Sequence, residues 1–146
     1  MTKKIPIINN HPSLTISHLF LRNEIQKILR HLDLKGCGLE LTFCDDSFMG
    51  GQNQKHMGKK GTTDVLSFPQ IEPKKNRKHY QGKFLGDILI SLDQAKRQAK
   101  EQRLSLKKEV LFLILHSILH LIGYDHSEKG ERFEMQALES RIWKAL

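Results

Sequence analysis

The chain has 146 residues, enough for one domain with its own core and too few for two independent ones. Hydrophobic residues make up 38% and charged residues 27%, the balance of a soluble globular protein, and the longest apolar run, Val110 to Leu115, is far too short to cross a bilayer. The net charge of +8 favours a polyanionic partner, of which nucleic acid is the commonest in a cytosol. The opening MTKKIPIINN lacks an apolar stretch of signal-peptide length, so the sequence predicts a cytoplasmic protein that is not exported. Cys37 and Cys44 have the spacing of neither a metal knuckle nor a redox pair and are expected to be reduced and structural.

The apolar run IPIIN suits a first strand. From Ser13 or Thr15 to about Leu34, the residues Leu21, Ile25, Ile28, Leu29 and Leu32 recur at helical spacing and predict an amphipathic helix, stopped by Gly36 and Gly38. Leu39, Leu41 and Phe43 alternate with Glu40, Thr42 and Cys44, the period of a half-buried strand. Asp45 to Gly61 is polar and glycine-bearing, with room for one short helix. TDVLSFP (Thr63 to Pro69) and FLGDILIS (Phe84 to Ser91) predict two more strands. Between them Ile71 to Lys83, with Lys74, Lys75, Arg77, Lys78 and Lys83, is expected to be a solvated hairpin loop. Ser91 and Gln94 fit a capping box before a helix that ends near Gln102. Ser105 is placed to cap the next helix, which is apolar almost all round and is therefore the central, buried one. Met135, Leu138, Ile142 and Leu146 share one face of a last helix packed over the core. Strands and helices do not alternate regularly, which predicts a mixed sheet packed with helices rather than a doubly wound one.

The central helix carries the chemistry. HSILHLIGYDH places His116, His120 and His126 at relative positions zero, four and ten, with Gly123 at seven. Histidines four apart lie one above the other on a helix, close enough to share one ion. Gly123 can take the left-handed conformation that ends a helix, so that the chain doubles back and His126 supplies a third ligand. Three nitrogens leave one position of a tetrahedral zinc for water, the arrangement of a catalytic site. Without a metal, imidazoles in so apolar a helix would need other partners, at a cost of about 1–3 kcal/mol each. Zinc proteases with the long three-histidine motif share these offsets, but carry their general-base glutamate directly after the first histidine. Here that position is Ser117, which argues against peptide hydrolysis.

These motifs together, HSILHLIGYDH with TDVLSFP, LGDI (Leu85 to Ile88) and Met135 in the last helix, resemble the YbeY family of ribosomal-RNA maturation factors. The resemblance runs in order through the second half of the chain and more weakly through Asn53. It implies a zinc-dependent endoribonuclease that prefers single strands, matures the 3′ end of small-subunit ribosomal RNA and takes part in ribosome quality control. It also implies an α+β fold, a small, mostly four-stranded sheet with helices around it and the histidine helix at the centre, with one Zn2+ held by His116, His120 and His126, and the small ribosomal subunit or one of its proteins as partner. The family usually has an aromatic residue and then an arginine where this chain has His56 and Met57, and proline where it has Thr62. An arginine there would neutralise phosphate charge; methionine cannot, and Lys55, Lys59 or Lys60 are the nearest cations in sequence.

The expected reaction is metal-assisted hydrolysis of a phosphodiester, in which zinc lowers the pKa of its bound water to about 7. Lysines from Lys55 to Lys60 and from Lys74 to Lys83 are expected to bind flanking phosphates. Asp125 and Asp64 are the candidates for general base. Asp125 is alternatively placed to orient an imidazole, and Asp64 and Asp87, both in strand motifs, could approach the cavity or equally well serve as structural caps. A zinc-containing assembly factor that binds RNA without cutting it is the alternative, and Met57 is the feature that favours it.

Overall fold

The computed structural model describes residues 5–124 and 129–146, with the backbone alone at Lys129. The elements run β1 (Ile7–Asn9), α1 (His18–His31), β2 (Gly38–Cys44), α2 (Asp46–Met57), β3 (Val65–Pro69), a 3-10 turn (Arg77–Tyr80), β4 (Phe84–Ser91), α3 (Leu92–Gln102), α4 (Leu106–Leu121) and α5 (Lys129–Ala145). The four strands form one sheet in the order β1-β2-β4-β3. Strands β1, β2 and β4 are parallel, and β3 pairs antiparallel with β4 at the edge, with Leu66 opposite Leu89. The expected α+β fold with a mixed four-stranded sheet is the one observed.

Helix α4 is the centre of the molecule. It packs against α1, α3, α5, β3 and β4, and Val110, Ile114, Leu115, Ile118, Leu119 and Leu121 are fully buried. An element enclosed on so many sides can keep its apolar character around nearly the whole circumference. Ser105 caps it, its hydroxyl accepting from the Lys108 N–H. Gly86 in β4 lets the far end of α4 approach the sheet. Its φ of +149° already disfavours other residues, and a Cβ there would meet the Phe68 carbonyl oxygen at 2.3 Å and Leu121 Cδ2 at 3.0 Å. Helix α5 lays Met135 and Ile142 on the core, with Leu138 and Leu146 partly buried beside them, and Trp143 meets Phe112 of α4 edge to face at 5.4 Å.

Four local expectations are corrected. Helix α1 starts at His18 rather than at Ser13 or Thr15, because the Ser13 and Leu14 N–H groups donate to His11 Nδ1 and hold that stretch as a loop; Ser17 is the cap. The polar stretch after β2 is a twelve-residue helix, α2, which buries only Met49 and Asn53 and so has no apolar stripe to advertise it. Its ends carry the signal instead: Asp45 accepts from the Phe48 N–H, and Gly58 closes the C-terminus at φ +65°. Ser91 does cap α3, accepting from the Gln94 N–H, but the box is not closed, because the Ser91 N–H donates to the Asp64 carbonyl. Finally, the lysine-rich segment between β3 and β4 is anchored. Its lysines are exposed, yet Tyr80 is fully buried.

Both cysteines are buried thiols. The Cys37 Sγ donates to the Tyr80 carbonyl. Burial, reinforced by Asp45, Asp46 and Asp93, pushes the Cys44 thiol up to about 12. Among the described residues no helix is long and apolar enough to cross a membrane.

Candidate metal centre

His116 and His120 face the same side of α4, into an open cleft of about 700 Å³ whose opposite wall is the edge strand β3 and whose rim includes His56 and Met57. Neither ring is deeply buried. The helix ends just beyond them in a Schellman turn: the Gly123 N–H donates to the His120 carbonyl and the Tyr124 N–H to the Leu119 carbonyl, each at 3.0 Å. Gly123 takes φ +100°, as its place after the helix predicts.

Each ring is held from behind. His116 Nδ1 lies 2.7 Å from Glu139 Oε2, a carboxylate reaching over from α5. His120 Nδ1 lies 2.8 Å from the Tyr124 carbonyl oxygen. A carbonyl oxygen can only accept, so His120 carries its proton on Nδ1 and presents a lone pair at Nε2. The Glu139 carboxylate imposes the same tautomer on His116. The two Nε2 atoms are 3.1 Å apart. Two lone pairs at that distance repel unless a proton or a cation lies between them. Bonds of about 2.0–2.1 Å at tetrahedral angles separate two ligand nitrogens by roughly 3.3 Å, so the donor set fits a small, borderline-soft divalent cation.

The expected third ligand, His126, and the carboxylate Asp125 lie outside the described residues. Asp64 does stand in the cleft with both histidines. Its carboxylate accepts from Gln98 Nε2 at 3.3 Å and from the Thr63 hydroxyl at 3.4 Å, which fixes its rotamer at the start of β3. Asp87 is not among the residues lining the cleft. It accepts from Gln70 Nε2 and lies opposite Glu40 of β2; burial, with Asp87 next, pushes the Glu40 carboxyl above its ordinary value. Ser117, at the position of the protease base, is fully buried, and its hydroxyl has no hydrogen-bond partner among the described residues.

Met57 occupies the cleft rim with about half its surface exposed, so the position where an arginine was expected does face the site. Lys55, Lys59 and Lys60 are exposed on and after the last turn of α2, beside that rim rather than in the wall. A second groove of about 650 Å³ adjoins the cleft through the shared residues Gly123 and Tyr124, and Lys74, Lys75, Arg77 and Arg141 line it together with Asp33, Glu131 and Glu134.

Two supports were missed in the sequence. Glu139 falls on the buried stripe of α5 between Met135 and Ile142, and an acidic residue in such a stripe is the signal that could have exposed it. Gln98 bridges carboxylates, donating at 3.3 Å to Asp64 and at 3.0 Å to Glu109 Oε2. Glu109 is 2% exposed, and Oε1 has no partner among the described residues. Burial pushes its carboxyl above the ordinary value, Asp64 adds to the rise, and the Gln98 amide opposes it. Asn53, already noted in the sequence, holds the approach to β3 by donating to the Gly61 carbonyl.

Comparison with known proteins gives consistent relatives. The family model described as Endoribonuclease YbeY matches residues 7–146. Proteins named Endoribonuclease YbeY are similar to this chain: that of Persephonella marina is 42% identical over 89% of this chain and 84% of its own length, and that of a Sulfurihydrogenibium species is 43% identical over 90% and 84%. The corresponding protein of Treponema denticola is 34% identical over 92% and 86%. The solution structure of a Thermotoga maritima protein has the same fold, with a TM-score of 0.60 and 22% identity over 97% of this chain and 90% of that one.

Proposed function

This chain belongs to the endoribonuclease YbeY family, and on that premise we propose that it is a metal-dependent endoribonuclease acting on single-stranded segments of ribosomal RNA, at the 3′ end of the small-subunit molecule. The observation that carries the metal dependence is the convergence of His116 and His120 Nε2 at 3.1 Å, with both Nδ1 atoms committed to acceptors. His116 and His120 would hold the ion, with His126 as the third ligand that the spacing supplies. Zn2+ suits three imidazoles, and when bound it supplies a water acidified to a pKa of about 7 and a Lewis acid for a phosphoryl oxygen.

The chain's own groups do the rest. Glu139 and the Tyr124 carbonyl fix the tautomer and orientation of the two rings. Asp64 is the carboxylate placed in the cleft to take the proton from the attacking water, its orientation set by Gln98 and Thr63. Exposed Lys55, Lys59 and Lys60 at the rim, and Lys74 and Lys75 in the adjoining groove, would hold phosphates on either side of the reacting one. The net charge of +8 favours RNA approach and makes it strongly salt-dependent. The proposal includes a cytoplasmic role in ribosome maturation and quality control, in contact with the small subunit, and the family membership supports it.

The second reading, an RNA-binding assembly factor that does not cut, rests on Met57 at the position where the family usually has arginine. One experiment separates them. Zn2+-loaded wild type should cleave single-stranded RNA, and His116→Ala should abolish cleavage while RNA binding persists. Equal cleavage by the two proteins would assign the activity to a contaminant.

A further inference from the structure

Arg77 belongs to the lysine-rich segment between β3 and β4, and nothing in the expected chemistry uses it. Its Nε donates to the Leu32 carbonyl at 3.1 Å, and its Nη2 donates to the Tyr124 hydroxyl at 3.1 Å. The guanidinium also lies over the Tyr124 ring, 5.7 Å from its centroid. Three residues on, the Tyr80 hydroxyl donates to the Ile122 carbonyl at 3.2 Å and accepts the Lys74 N–H at 2.8 Å. Pro73 lies against Gly123 so closely that a Cβ on the glycine would stand 2.6 Å from the Pro73 Cβ. Three side chains of one segment therefore press on three consecutive residues, Ile122, Gly123 and Tyr124.

Those three residues form the turn on which His120 depends. The Tyr124 carbonyl is the acceptor for His120 Nδ1. A rotation of the Tyr124 peptide would remove it, and the imidazole would lose its orientation and its preferred tautomer. Among the described residues the turn's own hydrogen bonds run from its N–H groups, so the contacts that hold the Tyr124 side chain help to set the direction of the carbonyl that follows. Its hydrogen bond to the Tyr124 hydroxyl places Arg77 in that role, braced in turn against the end of α1 through Leu32.

We propose that Arg77 is a positioning residue for the metal centre, acting through Tyr124 on His120, and that residues 71–83 form a brace for the metal-binding turn as well as a basic surface. The inference rests on His116 and His120 being metal ligands. A guanidinium suits the task because its rigid planar fork holds a carbonyl and a hydroxyl in fixed directions from separate nitrogens, whereas a lysine offers one rotatable ammonium on a flexible stem.

The test is Zn2+ affinity by chelator competition, with the Co2+ visible spectrum as a report on ligand geometry, for wild type, Arg77→Met, Arg77→Lys, Tyr124→Phe and the Arg77→Met/Tyr124→Phe double variant. Arg77→Met should weaken Zn2+ binding by about 10-fold, the low end of the effect of groups that orient metal ligands, and should shift the Co2+ bands. Arg77→Lys should recover less than half of the loss on a logarithmic scale. The double variant should lose less than the sum of its two parents, because both act on one contact. Zn2+ affinity within twofold of wild type for both single variants, with unchanged Co2+ spectra, would overturn the proposal. Additive losses would do the same. Indistinguishable Zn2+ binding by wild type and His116→Ala would instead remove the metal reading on which the proposal stands.

Discussion

Replacing Glu139 tests the logic of the proposed metal centre at its most buried support. The carboxylate is 12% exposed at the side chain, and its Oε2 lies 2.7 Å from His116 Nδ1, a charge-assisted contact that is stronger than a neutral one. Leucine at this position leaves the His116 Nδ1–H without its acceptor, at a cost of about 1–3 kcal/mol if the ring keeps its tautomer. If the proton moves to Nε2 instead, the lone pair needed for the metal is consumed. Either route weakens binding, and the expected loss of Zn2+ affinity is about 10–100-fold. Glutamine keeps an acceptor and loses the charge, so Glu139→Gln should fall between wild type and Glu139→Leu. In the metal-free protein the ring can relieve the cost of the lost acceptor by moving its proton to Nε2, and leucine continues the buried stripe of Met135 and Ile142, so the melting temperature there should change by no more than about 4 °C, the shift of roughly 1 kcal/mol in a chain of this size. Chelator competition and thermal melts of the metal-free proteins read the two effects apart. Zn2+ affinity within twofold of wild type for Glu139→Leu would refute the assignment of Glu139 as the group that orients His116.

Three further outcomes are expected. Gly123→Ala combines a φ of +100° with a Cβ 2.6 Å from Pro73 Cβ, so denaturant unfolding should show a loss of about 2–5 kcal/mol from strain and overpacking together. Because Glu109 is raised above its ordinary 4.5 in the folded chain, the stability it contributes is full below 4.5 and is lost as pH rises through the folded value. Glu109→Gln stays neutral and escapes that loss, so its stability relative to wild type, measured in urea, should improve as pH rises above 4.5 and level off once the folded carboxyl has ionised; parallel curves would count against a raised carboxyl. Met57→Arg puts a guanidinium on the cleft rim and should raise kcat/KM for RNA cleavage by about 10-fold or more, as expected for a cation that stabilises transition-state charge. An unchanged rate would show that the rim lysines already fill the role.

Much of the architecture was legible along the chain because it is written in short-range patterns. The apolar circumference of Leu106–Leu121 marked α4 as central, and the alternation over Leu39–Cys44 marked β2. Capping is equally local, and Ser105 announced the start of α4. Helix α2 was under-read because its stability comes from its caps and from Met49 and Asn53 rather than from a stripe. The segment 71–83 looked solvated because its lysines are indeed exposed, while one tyrosine and one arginine attach it to the core.

The sequence by itself determined the proposed ligand pair: a spacing of four on a helix puts His116 and His120 on one face wherever that helix lies, and Gly123 ends it. It also determined the family, since motifs in fixed order survive without reference to space. Tertiary structure alone decided what stands behind and across from those rings. Glu139 is 23 residues from the histidine it orients, Arg77 is 47 from the tyrosine it holds, and Asp64 reaches the cleft only because β3 lies at the sheet edge beside α4. Periodicity fixes which side chains share one element's face. Which elements then meet depends on how the whole core packs, and the residues that surround the proposed metal site come from those meetings.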